Sequence, residues 1–272
     1  MFSYGAYYLN TVKSCLQTSS TEDGCITFTS KNITLGNLLF YTVRLAALYS
    51  GGKDSTFSIF KAKQMGHEIA CLVSMYPSAD ESLLFHYPNI WLTDLLAKAM
   101  RIPLASFNVD KTSKEAEIEA LEQAITAAKS KFEIEGIVHG AISSNFQNQL
   151  FKRICESNSL TMVTPLWNIP LSIYLDQLLA EKFRFILVSV SAMGLQRCWL
   201  GKIFDRASLD TLISLSKKFG FNLAFEGGEA ETLVLDCPLF VKERINIDKA
   251  QVHWDGQRGI FEILEASLVS KK

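Results

Sequence analysis

In Leu45-Ala46-Ala47-Leu48-Tyr49-Ser50-Gly51-Gly52-Lys53-Asp54-Ser55, a short apolar run meets a glycine-rich turn. The apolar residues 45–49 have the length and composition of a buried β-strand. Residues 55–65, after the turn, have the composition of a helix, and Gly66 is placed to end it. The stretch therefore predicts a strand, a tight turn and a helix, which together open an α/β fold.

The turn between this strand and helix has the features of an anion-binding loop. Its two glycines let the backbone approach a ligand closely, and backbone N–H groups at the start of a helix favour a negative charge. Lys53 adds a positive charge, and the serines add hydroxyl donors. The alternative is an ordinary Gly-Gly turn with a solvated lysine. We predict that phosphates are bound by Ser50, Gly51, Gly52, Lys53, Asp54 and Ser55.

Two better-known phosphate loops do not fit this sequence. A Walker A loop needs a glycine where Ala47 stands, and Ser or Thr where Asp54 stands. The dinucleotide fingerprint needs the spacing G-x-G-x-x-G, which this turn lacks. The loop therefore represents a different class of phosphate site.

Strand and helix signals alternate outward from this first unit. Further strands are predicted at 69–76, 104–109 and 134–139, and further helices at 90–100, 112–131 and 145–157. Thr112 and Glu115 have the spacing of a capping box at the start of one of these helices. Strands separated by helices at this interval predict right-handed parallel β-α-β units, and so a doubly wound, mostly parallel sheet.

Residue composition and the pattern of predicted elements divide the chain into three parts. Residues 1–43 are rich in Ser, Thr, Asn and Tyr and carry little charge, which predicts a non-native or disordered leader. Residues 44–168 are predicted to form the phosphate-binding domain, and residues 169–272 a smaller C-terminal α+β domain. In this last part we predict helices at 171–181 and 208–219, strands at 185–190 and 233–236, and a hairpin of strands 245–254 and 259–268.

Composition argues against several classes of protein. The chain has 272 residues, with 27 Lys plus Arg against 28 Asp plus Glu, so direct nucleic-acid binding through a broad basic surface is not expected. No apolar run approaches the roughly 20 residues of a membrane span, so no membrane partner is expected. The six cysteines include no C-x-x-C pair, which argues against a zinc knuckle and favours reduced thiols in the cytoplasm.

A second motif lies far along the chain, in Glu226-Gly227-Gly228-Glu229-Ala230-Glu231-Thr232. Three carboxylates around a Gly-Gly turn are costly unless they are solvated or paired with cations. A Mg²⁺ ion or a cationic substrate would meet that need. The alternative is a charged surface turn, but the motif runs directly into the apolar residues 233–235. We therefore predict a binding role for it.

The two motifs together resemble a known family. SGGKDS at 50–55 resembles the PP-loop of the N-type ATP pyrophosphatases, and EGGEAET at 226–232 resembles the EGGE-x-ET signature of the diphthine–ammonia ligase family. Supporting stretches are FHYPNI at 85–90, HGAISSNFQ at 139–147, PLW at 165–167 and WLGK at 199–202. The resemblance covers about residues 44–240, in order.

The resemblance implies a fold and an activity. The implied fold is HUP-like, similar to the adenine nucleotide α-hydrolases, with 44–168 as the PP-loop ATP-binding domain and 169–272 as the substrate domain. The implied activity is amidation of diphthine on elongation factor 2 to diphthamide. ATP would adenylate the diphthine carboxylate, ammonium would supply the nitrogen, and AMP and pyrophosphate would be released.

The resemblance also implies roles for individual residues. Lys53, Asp54, Glu229 and Glu231 are expected to be catalytic, and Asp54 is also expected to bind Mg²⁺. ATP contacts are expected to continue from the phosphate loop to Gly140 and Ala141. We expect the quaternary ammonium of diphthine against Glu229, Glu231 or the face of Trp199. Substrate contacts are implied for Glu226, Gly227, Gly228, Glu229, Glu231, Thr232, His86, Gln147 and Trp199.

Three positions depart from the family pattern and leave the substrate contacts open. Leu150 replaces an arginine, Ala230 replaces an aromatic residue, and Phe225 replaces a small one. Two other functions also stay open, a PP-loop enzyme that modifies tRNA and a non-catalytic adenine-nucleotide-binding module. The sequence likewise leaves homodimer formation open.

Overall fold

The structure, a computed structural model, describes residues 33–35, 38–77, 89–109 and 113–271. Contacts divide the chain into two units, Met1–Thr42 and Val43–Lys272. In the first unit, strands β1 (Ile33–Leu35) and β2 (Leu38–Phe40) form an antiparallel pair. Most of the predicted leader lies outside the described residues, so its order stays a prediction.

A five-stranded parallel sheet forms the framework of the second unit. Its strands stand in the order β5-β4-β3-β6-β7, and every pairing between neighbours is parallel. The predicted parallel sheet is thereby confirmed, although the short strand β7 was not predicted. The strands are β3 (Arg44–Leu48), β4 (Glu68–Pro77), β5 (Leu104–Val109), β6 (Gly136–Val138) and β7 (Thr161–Val163).

Helices cover both faces of this sheet, which makes it doubly wound. Side chains alternate between the faces of a strand, so Leu45 and Ala47 belong to one core cluster and Ala46 belongs to another. The first cluster includes residues of α1 and α2, and the second includes residues of α3 and α4. These helices are α1 (Lys53–Gln64), α2 (Thr93–Met100), α3 (Lys114–Phe132) and α4 (Asn145–Ser157).

The capping residue of α3 differs from the one predicted. Ser113 is the N-cap, and its hydroxyl accepts a hydrogen bond from the Ala116 amide at 3.3 Å. The prediction of Thr112 was therefore wrong by one residue. Both residues are good caps by type. The capping-box spacing favoured Thr112, because Glu115 follows it by three residues, whereas Ala116 takes that place for Ser113.

A four-stranded antiparallel sheet forms the second part of this unit, in the order β10-β11-β8-β9. β9 begins at Ala230 rather than at 233, so the last three residues of the acidic motif lie on a strand. The predicted hairpin is confirmed, and Asp255 Oδ1 accepts from the amides of Gln257 and Arg258 at its turn. The elements are α5 (Leu171–Ala180), β8 (Arg184–Val190), α6 (Arg206–Phe219), β9 (Ala230–Asp236), β10 (Glu243–Trp254) and β11 (Gly259–Ser270).

Several hydrogen bonds join the parallel-sheet part of this unit to the antiparallel sheet, among them those of Val234 and Asn89. The Val234 amide on β9 donates to the Gly51 carbonyl at 3.0 Å. Asn89 donates to the Phe261 carbonyl at 2.9 Å and accepts from the Ile263 amide at 2.7 Å, both on β11. Contacts accordingly group Val43–Lys272 as one compact unit, and a domain boundary at 168/169 stays a prediction.

The described helices and cysteines bear on two expectations from composition. Within the described ranges, no helix has both the length and the apolar character needed to cross a membrane. Cys71, Cys155 and Cys237 are buried free thiols, whereas Cys198 is exposed. Burial raises the pKa of each of the three buried thiols to about 12, so they are unreactive at neutral pH.

We predict that Asn89→Ala lowers the free energy of unfolding by about 1–3 kcal/mol, because the buried Ile263 amide loses its acceptor. Urea denaturation of wild type and variant measures this difference. Asn246→Ala is the control, since the Asn246 amide donates to Asp248 in an exposed hydrogen bond. Equal losses of stability in the two variants would contradict the role assigned to Asn89.

Candidate active site

A cavity lies at the carboxyl ends of β3 and β6, which are neighbours in the parallel sheet. After β3 the chain continues to β4 and β5 on one side of the sheet, and after β6 it continues to β7 on the other. The gap between β3 and β6 is therefore the topological switch point, where ligands bind in such folds. The cavity volume is about 560 Å³, within the range of small-molecule sites. Its polar wall comes from the phosphate loop, from His139-Gly140-Ala141 and from the acidic motif.

The phosphate loop presents five of its six predicted residues to this cavity. Ser50, Gly52, Lys53, Asp54 and Ser55 line it, at the N-terminus of α1. The hydroxyls of the two serines lie 3.2 Å apart, so the loop has a pair of adjacent O–H groups. The sixth residue, Gly51, faces the core, since a Cβ atom there would stand 2.8 Å from the Leu96 side chain.

Lys53 is almost fully buried, with 1% of its side chain exposed. Its ammonium donates to the Asp54 carboxylate at 2.9 and 3.0 Å and to the Ala224 carbonyl at 2.9 Å. The Phe225 ring lies 5.0 Å from Nζ. The charge is therefore held between the phosphate loop and residues that precede the acidic motif, at the cavity wall.

Asp54 has a second buried partner, Tyr174 of α5, whose hydroxyl donates to Oδ1. Burial, followed by the nearby Asp54 carboxylate, raises the pKa of Tyr174 well above its usual value. The hydroxyl consequently stays protonated and remains a donor. Asp54 thus joins the phosphate loop to the C-terminal part of the chain.

Gly140 lies directly against the first turn of α1. A Cβ atom at this position would stand 2.6 Å from both the Asp54 carbonyl carbon and the Ser55 nitrogen. No larger residue fits there without moving the backbone of the phosphate loop. The next residue, Ala141, lines the cavity, and its amide donates to His139 Nδ1 at 3.2 Å.

Glu226, the first carboxylate of the acidic motif, connects two loops. It accepts hydrogen bonds from the Ile142 amide at 2.7 Å and the Ser143 amide at 2.9 Å, and from the Ser143 hydroxyl. Backbone N–H groups therefore provide much of the stabilisation that its charge needs. Glu226 fixes the acidic motif against the loop between β6 and α4, and it also lines the cavity.

Glu229, the second carboxylate, closes its own turn. Its two oxygens accept from the Asn222 amide at 3.1 Å and the Gly227 amide at 2.9 Å. Among the described residues, the cavity lining includes the turn glycines Gly227 and Gly228 but not Glu229. These contacts assign Glu229 to the geometry of the turn, and its predicted catalytic role stays a prediction.

Glu231 and Thr232 lie on β9 and both line the cavity. The Thr232 hydroxyl accepts a hydrogen bond from the Lys53 amide at 3.0 Å. This bond holds the end of the acidic motif directly on the phosphate loop. Of the three carboxylates, Glu226 and Glu231 are therefore the ones that reach the cavity.

The remaining predicted site residues have different positions. Gln147 of α4 lines the cavity. Trp199 is buried, with its ring 5.7 Å from that of Phe204, and it is not part of the described cavity lining. The Lys202 ammonium lies 5.4 Å from the centre of the Trp199 ring. The geometry therefore gives no support to a contact between Trp199 and the quaternary ammonium of diphthine in the cavity. His86 lies outside the described residues.

The comparisons with known proteins agree with this arrangement of motifs. A family model described as the diphthamide synthase N-terminal domain matches residues 43–162. A second, described as the diphthamide synthase C-terminal domain, matches residues 172–269. Together they cover both sheets and both motifs. The chain belongs to the diphthine–ammonia ligase family.

Curated relatives from animals and fungi support this family. The diphthine–ammonia ligase of Bos taurus is 33% identical over 228 residues, which cover 77% of this chain and 85% of that protein. The diphthine–ammonia ligase of Danio rerio is 32% identical over 232 residues, which cover 78% of this chain and 90% of that protein. That of Schizosaccharomyces pombe is 32% identical over 79% of this chain but only 38% of its own length.

One solved structure bears a weak likeness, a predicted subunit of tRNA methyltransferase from Methanocaldococcus jannaschii. It is 17% identical, with a TM-score of 0.39, over 73% of this chain and 100% of that one. This likeness is too distant to bear on function.

Membership of this ATP pyrophosphatase family implies that ATP is used, and the cavity has groups that suit each part of the nucleotide. The helix N-terminus and the serine hydroxyls suit phosphates. Another part of the wall is apolar and suits a nucleoside. It consists of Leu48, Val73, Met75, Leu121 and Phe151.

Sequence reasoning missed two groups that complete the site, Tyr174 and the Ala224 carbonyl. Tyr174 stands on the apolar face of a helix, a pattern that predicts a core residue. A backbone carbonyl leaves no mark on the sequence at all. Phe225 was singled out only as a departure from the family pattern, and its ring covers the Lys53 ammonium.

His139 is 1% exposed, and burial lowers its pKa from 6.5 to about 4, with Glu226 acting in the opposite direction. Below pH 6.5 the unfolded chain binds a proton at this residue, while the folded chain does not until the pH approaches 4. We therefore predict that His139 lowers the free energy of unfolding by about 2 kcal/mol when the pH falls from 7 to 5.

Urea denaturation at both pH values measures this loss, and His139→Gln should lack that part of it. His253→Gln removes an exposed histidine and is the control for losing a histidine as such. Equal pH dependence in wild type and His139→Gln would contradict the prediction.

Proposed function

We propose that this chain converts diphthine on elongation factor 2 to diphthamide, using ATP and ammonium. The observation that carries the proposal is that both family motifs meet on one cavity. The Lys53 amide donates to Thr232, so the phosphate loop and the acidic motif share a wall. Each of the two matched family segments contributes one of these motifs.

In the proposed reaction a diphthine carboxylate oxygen attacks the α-phosphorus of ATP. The bond between the α-phosphorus and the bridging oxygen breaks, and pyrophosphate leaves with its electron pair. Ammonia then attacks the acyl carbon of the adenylate, AMP leaves, and a proton is lost to give the amide. The first step brings together negatively charged groups, so its rate depends on positioning and on electrostatic stabilisation.

The phosphate loop has the groups that this stabilisation needs. The N-terminus of α1 and the hydroxyls of Ser50 and Ser55 suit phosphate oxygens. The Lys53 ammonium lies at the cavity wall, paired with Asp54. In the proposal this ammonium neutralises phosphate charge once ATP binds.

Magnesium fits the same wall as part of the proposal. Mg²⁺ that arrives with ATP needs only one or two carboxylates besides the phosphates. Asp54 and Glu231 both line the cavity and would hold it, and the ion would reduce the charge of the phosphates. Within the described residues, no group of three or more His, Cys, Asp or Glu side chains could hold a metal by itself. This suits a metal delivered with the nucleotide.

The proposed substrate contacts follow from which carboxylates reach the cavity. Glu231 is our candidate for the quaternary ammonium of diphthine, because it lines the cavity on β9. Glu226 lines it as well, although it also holds Ser143. Free ammonium as nitrogen donor, a cytoplasmic location and homodimer formation are further proposals that no contact described above bears on.

A reconstituted reaction tests this function. Purified chain is mixed with ATP, Mg²⁺, ammonium and elongation factor 2 carrying diphthine. AMP and pyrophosphate are measured together with the mass of the modified histidine peptide. We expect release of both products and conversion of the acid to the amide only when the diphthine protein is present. Product release with tRNA instead, or nucleotide binding without turnover, would refute the proposal.

Lys53→Met should lower kcat/KM of this reaction by about 10²- to 10³-fold, as expected when one charge-stabilising donor is lost. Lys63→Met, on the exposed side of the same helix, is the matched control and should retain the wild-type rate. Equal rates for the two variants would show that Lys53 does not act on the phosphates.

A further inference from the structure

Tyr174 is the feature of the site that neither the sequence motifs nor the proposed chemistry explains. It lies on α5, is fully buried, and packs with its ring 5.7 Å from that of Phe57. Its hydroxyl nevertheless bonds a carboxylate at the cavity wall rather than another core group. A buried O–H that meets a carboxylate forms a charge-assisted hydrogen bond, which is both stronger and more directional than a neutral one.

Asp54 transmits this contact to the cavity. Its side chain is 29% exposed and lines the cavity, whereas Tyr174 is not part of the described lining. The same carboxylate accepts both short bonds from the Lys53 ammonium. A displacement of Asp54 would therefore disturb two of the three hydrogen bonds described for the ammonium, the third being the bond to the Ala224 carbonyl. Tyr174 can act on a bound nucleotide only through these two residues.

The hydroxyl is suited to hold a carboxylate, because a tyrosine O–H group is a hydrogen-bond donor throughout the physiological pH range. A serine at this place would be too short, and a phenylalanine would leave Oδ1 of Asp54 without this donor. The geometry thus gives the oxygen atom of Tyr174 a role separate from the packing of its ring.

We propose that Tyr174 is a positioning residue whose hydroxyl holds the Asp54 carboxylate, and through it the Lys53 ammonium, where the phosphate loop receives the phosphates of ATP. This inference rests on the proposed function, because it takes ATP as the ligand of the loop. AMP is what remains of ATP once pyrophosphate has left, so AMP lacks the two phosphates that form the pyrophosphate. Loss of the hydroxyl should therefore weaken ATP binding more than AMP binding.

Isothermal titration calorimetry with Mg²⁺ and α,β-methylene-ATP, whose α–β bond is not cleaved, tests this inference, with AMP as the second ligand. In Tyr174→Phe we expect about 5- to 20-fold weaker binding of the ATP analogue and a change of less than about twofold for AMP. Tyr76→Phe is the matched control. Its hydroxyl bonds Asp94 at 3.1 Å and Thr93 at 2.8 Å, and Tyr76 is half-buried and outside the described cavity lining.

A double-mutant cycle with Asp54→Ala, which removes the acceptor of the Tyr174 hydroxyl, then asks whether Tyr174 acts through Asp54. The effect of Tyr174→Phe on the ATP analogue should shrink to less than twofold in the Asp54→Ala background. Wild-type affinity in Tyr174→Phe, equal losses for the ATP analogue and AMP, or full additivity with Asp54→Ala would each overturn the proposal. Wild-type protein that binds the ATP analogue but makes no diphthamide would refute the proposed function and leave the role of Tyr174 standing.

Discussion

A buried ammonium needs partners, and those of Lys53 come from both halves of the chain. Asp54 is its neighbour in sequence, whereas the Ala224 carbonyl and the Phe225 ring belong to the segment before the acidic motif. Leaving one charge of a buried pair without its partner typically costs several kcal/mol. The C-terminal part of the chain therefore contributes directly to the structure of the phosphate loop.

The acidic motif has a different physical meaning in the structure than in the sequence. In the sequence, three carboxylates in seven residues suggest a surface that binds cations. Instead, Glu226 and Glu229 accept hydrogen bonds from backbone amides, a favourable environment for an ionised carboxylate. They define the path of the loop, while Glu231 lines the cavity beside the phosphate loop. The motif is thus both a framework for the loop and part of the cavity wall.

Local patterns predicted most of the parallel sheet, because its strands and helices each carry their own periodicity. The segment from Leu45 to Ser55 was sufficient to predict a strand, a tight turn and a helix, and all three are present. Sequence patterns were less informative where tertiary contacts decide where a strand begins or what a side chain contacts. β9 begins at Ala230 because the acidic segment pairs with β8, and no local signal marks that start. Trp199 looked like a binding residue but packs in the core, whereas Tyr174 looked like a core residue but bonds Asp54.

The bond from the Lys53 amide to Thr232 joins residues 179 positions apart. During synthesis, the phosphate loop leaves the ribosome long before the strand that holds it. The first β-α unit can form early, but it lacks its second wall until β9 has been made and has paired with β8. The cavity wall is therefore completed late in translation. A nascent or truncated chain that ends before residue 230 would contain the complete phosphate-loop sequence and still lack the site.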